Sequence, residues 1–269
     1  MFMPDITVQR PAPDPFRALT AFAGALLVLS LIWAVSSDPR LVDGSPVWMK
    51  PAKFALSFVL LFATMALVAD RLSPAAREGW VLRGTAFAMA VAFAVEMAWM
   101  IRQAARGVGS HWNLETVLEA VMYSVMGVGA VTLVLGVGVT GWLVRRDREA
   151  DLSPALREGV WLGFGLTFLL TLVVAGTMSS MSGHHVGVHP EGGATVPLLG
   201  WSLAVGDLRP PHFLSIHAMQ ALPLLALWLE GRGRGGDVRT IRLGTLAWTA
   251  ATLATFGLGL AGLPILPLG

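Results

Sequence analysis

The chain has 269 residues, 55% hydrophobic and 13% charged, with a net charge of +2 and a mean hydropathy of +0.66. Soluble domains carry roughly 25% charged residues, so this is the composition of a membrane protein, a single domain over residues 1–269. Cysteine is absent, which excludes disulfides, cysteine-ligated iron–sulfur clusters and thiolate zinc sites. The sequence pI near 9.7 is read as the loop charge bias of a membrane protein, not as a sign of nucleic-acid binding.

The first sixteen residues, MFMPDITVQRPAPDPF, lack the apolar core of a signal peptide, so the first span is expected to act as its own insertion signal. Crossing a bilayer takes about 20 apolar residues in a helix. Seven stretches qualify: Pro15–Ser36, Pro51–Asp70, Val81–Ile101, Leu114–Val144, Ala155–Met181, Pro211–Leu229 and Ile241–Leu266. Asp14 and Pro15 are suited to cap and start the first. A short amphipathic lead-in from Ser45 is expected before the second, with Lys50 and Lys53 as interfacial anchors. The fold class is therefore an all-α polytopic helical bundle of seven transmembrane helices.

Basic residues orient it. Arg10, Arg17, Arg71, Arg77, Arg83, Arg145, Arg146, Arg148, Arg157, Arg232, Arg234, Arg239 and Arg242 fall on one side, thirteen in all. Arg40, Lys50, Lys53, Arg102, Arg106 and Arg209, six in all, fall on the other. The richer side is cytoplasmic, so the N-terminus is in and the C-terminus out, with the bacterial inner membrane as the expected location.

Leu72–Gly79 reads LSPAAREG and Leu152–Gly159 reads LSPALREG, seven identities in eight. Each opens a span from the cytoplasmic side, two spans apart. A duplicated two-helix hairpin of parallel type is one reading; the other is a good helix start used twice.

The polar side chains of the spans gather in their outward halves. Glu96 is expected roughly 8–10 Å below the outer end of span three. Glu115 and Glu119 share a face of span four. His212 lies at the mouth of span six, His217 roughly 8 Å down and Gln220 one turn below. Glu96, Glu119, His217 and Gln220 are thereby expected at similar depth. The outer loops add His111 and Asn113, then Asp207, Arg209 and SGHHVGVHPE with His184, His185 and His189. All six histidines fall outside or in an outward half-helix. Trp33, Trp48, Trp99, Trp112 and Trp201 are read as an aromatic belt.

Ionisable groups inside a membrane mark sites by default, and imidazole with carboxylate suits copper, zinc or iron. The expected ligands are His217, Glu96, Glu119, His212, His111 and His185, supported by Gln220, Asn113, Glu115, Asp207 and Arg209. Met178 and Met181 before His184 would suit copper. For haem, His217 opposed by His111 or His185 would serve. No HExxH, GxSxG or phosphate loop occurs, and span seven lacks the lysine that a retinal protein needs. A proton-coupled transporter or channel, with a small solute as partner and Gly127, Gly129, Gly136 and Gly138 easing helix approach, is the rival class. A structural subunit whose polar groups join helices is the third. SHWN at Ser110–Asn113 and GDLRPPHFLSIHAMQALP at Gly206–Pro223 resemble motifs of uncharacterised multi-pass bacterial membrane proteins. That resemblance covers the third to sixth spans and implies the same outward cluster, with no activity attached.

Overall fold

A computed structural model describes residues 14–42, 44–181, 183–197 and 199–266. The N-terminal tail read above for a signal peptide, with Arg10, lies outside them. The helices are α1 (Pro15–Ser36), α2 (Met49–Ala69), α3 (Pro74–Arg77), α4 (Trp80–Arg106), α5 (Val117–Arg146), α6 (Pro154–Ser179), α7 (Arg209–Glu230) and α8 (Val238–Leu260). Counting α3 with α4, seven helical segments are long and apolar enough to cross a membrane. Two hairpins of two-residue strands complete the fold, β1 (Leu41–Val42) with β2 (Ser45–Pro46) and β3 (His185–Val186) with β4 (Gly206–Asp207). The protein is a seven-helix membrane bundle.

Local chemistry starts these helices. Asp14, Ser73, Ser153 and Asp237 each accept a backbone N–H in the first turn, and Pro15, Pro74 and Pro154 occupy first-turn positions, where a missing N–H is harmless. The two copies of LSPxxREG differ after their caps. In the second, α6 runs on without interruption. In the first, the helix breaks at Glu78 and restarts at Trp80.

The helices pack in order, α1 on α2, α2 on α4, then α4 on α5, α5 on α6, α6 on α7 and α7 on α8, with α8 also touching α6. Between membrane helices, close backbone approach replaces the hydrophobic drive. A Cβ added at Gly163 would lie 2.6 Å from the carbonyl oxygen of Ala218, and one at Gly159 2.9 Å from that of Leu222, so α6 and α7 meet along glycine. Three of the four α5 glycines read as approach points meet side chains, Gly129 at Glu96, Gly136 at Met89 and Gly138 at Phe168, while Gly127 faces open space. Val35, Phe87, Val128 and Leu246 are exposed apolar side chains, and lipid would cover them.

Arg157 fastens the arginine-rich end. Its guanidinium donates to the carbonyls of Val144 (2.7 Å), Asp147 and Ala150 (3.1 Å), joining the end of α5, where carbonyls lack helical partners, to the loop that follows. Arg17 pairs with Asp70 on the same end, and Arg242 with Glu158 at 2.8 Å.

Several spans end elsewhere than the hydropathy suggests. α8 stops at Leu260, with Gly262 in the left-handed region at φ 76°, so a backbone turn ends it before the Leu266 expected from hydropathy. α4 continues to Arg106, where Gly107 at φ 71° closes it. The lead-in to span two is the β1–β2 hairpin, with Trp48 and Lys50 at the start of α2. Trp33 and Trp48 meet as a tilted pair with ring centroids 5.9 Å apart.

Candidate functional site at the histidine end

The two carboxylates expected to share a site are apart in their roles. Glu119 stands in the first turn of α5, where Thr116 Oγ1 accepts its N–H at 3.2 Å and returns a bond to its Oε2 at 2.9 Å. The first bond is an N-cap; the second comes from the Thr116 hydroxyl, where a capping box would use the Thr116 backbone N–H. The same carboxylate accepts Arg106 at 2.8 Å and faces the Gln103 amide at 3.5 Å. Glu119 therefore joins the end of α4 to the start of α5 and lies at the mouth of the bundle, not one turn within it. Glu115 precedes the helix and is exposed, its N–H bonded to Asn113 Oδ1 at 3.2 Å. Asn113 in turn donates to the Gly109 carbonyl at 3.2 Å. Both shape the loop.

Glu96 is different. It is 4% exposed, its Oε1 has no hydrogen-bond partner, and it lies against α5 where a Cβ at Gly129 would come within 3.0 Å. Ten residues separate it from Arg106, so it is roughly 15 Å from the helix end, deeper than the expected span boundary allowed.

On α7, His217 Nδ1 lies 3.2 Å from Gln220 Oε1, and Gln220 Nε2 donates to Thr64 Oγ1 of α2 at 3.2 Å. Gln220 spends its N–H on Thr64, so its carbonyl faces the histidine and the ring must donate through Nδ1. That leaves Nε2 of His217 as the lone-pair nitrogen. His212 lies five residues earlier, with its Nδ1 buried and unpartnered.

The β3–β4 register sets His185 opposite Asp207. Asp207 accepts the backbone N–H of Ser202 at 2.8 Å, that of Arg209 at 2.9 Å and the Arg209 guanidinium at 2.6 Å. Burial alone would raise its pKa, but these donors hold it below the usual carboxylate range. His185 Nε2 lies 3.7 Å from Asp207 Oδ2 and 3.4 Å from the Arg209 guanidinium. A metal ion on that nitrogen would meet a fixed cation. His189 Nδ1 lies 3.0 Å from Ser202 Oγ, whose lone pairs already accept the N–H groups of Ala204 and Val205. The hydroxyl therefore donates, and His189 holds the loop.

Rings continue the line inward. His185 stands between His184 and His189 at centroid distances of 4.2 and 4.8 Å. Trp112 reaches His184 at 6.0 Å and His111 at 6.2 Å, and His111 reaches Phe54 of α2 at 5.4 Å. Of the tryptophans assigned to the aromatic belt, Trp99 is interior and Trp112 half-buried. Trp99 is 6% exposed and donates to the Ser110 carbonyl at 3.3 Å. Trp112 has φ 54° with its indole N–H buried and unpartnered, a conformation that costs about 1–3 kcal/mol in a bulky residue. Burial and then Lys50 push the His111 pKa down to about 3. Burial and then Arg209 push that of His184 down to about 4, and burial lowers His185 despite Asp207. These imidazoles are neutral at pH 7.

Among the described residues no three His, Asp or Glu side chains are arranged to hold a metal ion. The arrangement thus offers single neutral imidazoles beside cationic side chains. Sequence reasoning passed over Thr64 and Ser202. Neither belongs to a motif, and only the fold brings Thr64 to Gln220 and Ser202 to His189. No family model matches the chain, and neither does any curated protein or solved structure.

Proposed function

We propose that this membrane protein binds a metal at its histidine end, and that the metal brings most of its ligands with it, as haem iron does. The observation that carries this is His217, whose Nδ1–H is fixed by Gln220 and Thr64. A ligating histidine is commonly held in this way through its second nitrogen. A bare zinc or copper ion asks for three or four protein ligands, which the described residues do not group. Haem asks only for one or two axial side chains. His111 is the second ligand in this reading, kept neutral by burial and Lys50. Lys50 acts on His111 and His184 as a cation, and a cation there suits a carboxylate of a porphyrin; Arg209 is committed to Asp207. Bound haem would supply one-electron chemistry. The chain's own part is to hold His217 in one tautomer and to keep the imidazoles unprotonated. Glu119 and His185, committed to Arg106 and to the Asp207–Arg209 pair, are not ligands here.

The test is an absorption spectrum of the purified protein with and without added hemin. A Soret band is expected in the wild type, lost in His217→Ala and retained in His189→Ala. Equal binding by wild type and His217→Ala would overturn the assignment.

Glu96 favours a second reading, proton-coupled transport, because a buried carboxyl without a partner can exchange a proton. A pH-driven flux in vesicles that Glu96→Gln abolishes, with no spectrum in either protein, would replace the first reading by the second.

A further inference from the structure

The arginine-rich end carries a recess of ≈ 430 Å³ lined by Arg145, Arg146, Arg148 and Arg157. Among the described residues its lining contains no carboxylate. Asp147, between these arginines in sequence, is turned elsewhere: its Oδ2 accepts the Ser73 N–H at 2.7 Å and its Oδ1 that of Glu149 at 3.2 Å. Arg157 is spent on three backbone carbonyls, while Arg145, Arg146 and Arg148 are exposed. Like charges at this density repel, so an anion in the recess would relieve them.

The position selects the kind of anion. Arg146 lies over the ring of Trp142, its Cζ 5.5 Å from the centroid, and Trp142 is 43% exposed among the lipid-facing residues of α5. A tryptophan so placed at a helix end sits at headgroup level. Guanidinium forks match the oxygens of a phosphate in pairs. The charge bias makes this the cytoplasmic end, where anionic lipids act on basic clusters. We infer that this recess is a binding site for the headgroup of an anionic phospholipid, seated between the end of α5 and the start of α6. The inference is independent of what the histidine end binds.

The full chain is reconstituted in nanodiscs of phosphatidylcholine alone or with phosphatidylglycerol, and its thermal midpoint is followed. Phosphatidylglycerol should raise the midpoint by at least about 3 °C. The combined variant Arg145→Gln, Arg146→Gln, Arg148→Gln, which spares Arg157, should lose that rise. Inorganic phosphate added to the wild type in detergent should not reproduce it. The same rise in the variant, or none in the wild type, would overturn the site. A full rise with inorganic phosphate alone would show a soluble anion to be the ligand and overturn the lipid assignment. Should the variant not fold, mass spectrometry of wild type released from mixed nanodiscs decides: preferential retention of phosphatidylglycerol supports the site, and indifferent retention of both lipids rejects it.

Discussion

Gly163→Ala tests the seam between α6 and α7. The new methyl carbon would start 2.6 Å from the Ala218 carbonyl oxygen and 3.3 Å from Leu222 Cβ. The oxygen belongs to a helix backbone and cannot swing aside, so the helices must part by several tenths of an ångström. Overpacking of this kind costs about 1–3 kcal/mol. Against it stands the helix preference of alanine over glycine, about 0.5–1 kcal/mol. Gly165→Ala supplies the control, because nothing lies within 4 Å of its added Cβ. The propensity gain is common to both variants and cancels in their difference, leaving the contact term of about 1–3 kcal/mol. At about 2–4 °C per kcal/mol for a chain of this size, thermal unfolding in detergent should place Gly163→Ala roughly 2–12 °C below Gly165→Ala. Equal midpoints would mean that the glycine seam is not what holds α6 to α7.

Glu119→Gln should cost about 1–2 kcal/mol, since its partner Arg106 is partly exposed and screened, and should leave hemin binding unchanged; lost binding would return Glu119 to the site. Acid sensitivity follows from His111 and His184, with folded values of about 3 and about 4 against 6.5. The unfolded chain binds more protons in that window, so their contribution is complete above about pH 6.5 and is lost as the pH falls through the folded values. Equilibrium unfolding at stepped pH should show stability declining below 6.5, and removing both imidazoles should flatten that slope. Trp248→Phe removes the bond from Trp248 Nε1 to the Leu214 carbonyl at 2.9 Å and should lower stability by about 1 kcal/mol. A reporter inserted at Gly233 should be cytoplasmic and one at Gly192 external; both on one side would refute the orientation drawn from the arginines.

Hydropathy made the seven spans legible because each needs a long apolar run whatever it packs against. Their ends were less so. Gly107 ends α4 past its apolar run and Gly262 ends α8 inside one, both through backbone conformation, which hydropathy does not register. Thr116-x-x-Glu119 is a readable cap, and reading it as one would have placed Glu119 in the first turn of α5. The pairing of His217 with Gln220 was legible from their spacing of three. Its continuation to Thr64 was not, because 156 residues separate the partners. Nor could spacing show Arg209 beside His185, which depends on the β3–β4 register.

Gly206 of β4 lies so close to α8 that an added Cβ would fall 2.2 Å from the Gly259 carbonyl oxygen and 2.8 Å from the Gly262 Cα. During synthesis, residues 184–217 leave the ribosome before α8 exists. The strand that carries Asp207 therefore has no backing until α8 has entered the membrane. Assembly of the histidine end is thus completed late in biogenesis, and in a nascent chain arrested before Val238 the backbone of Gly206 would lack the α8 surface it packs against.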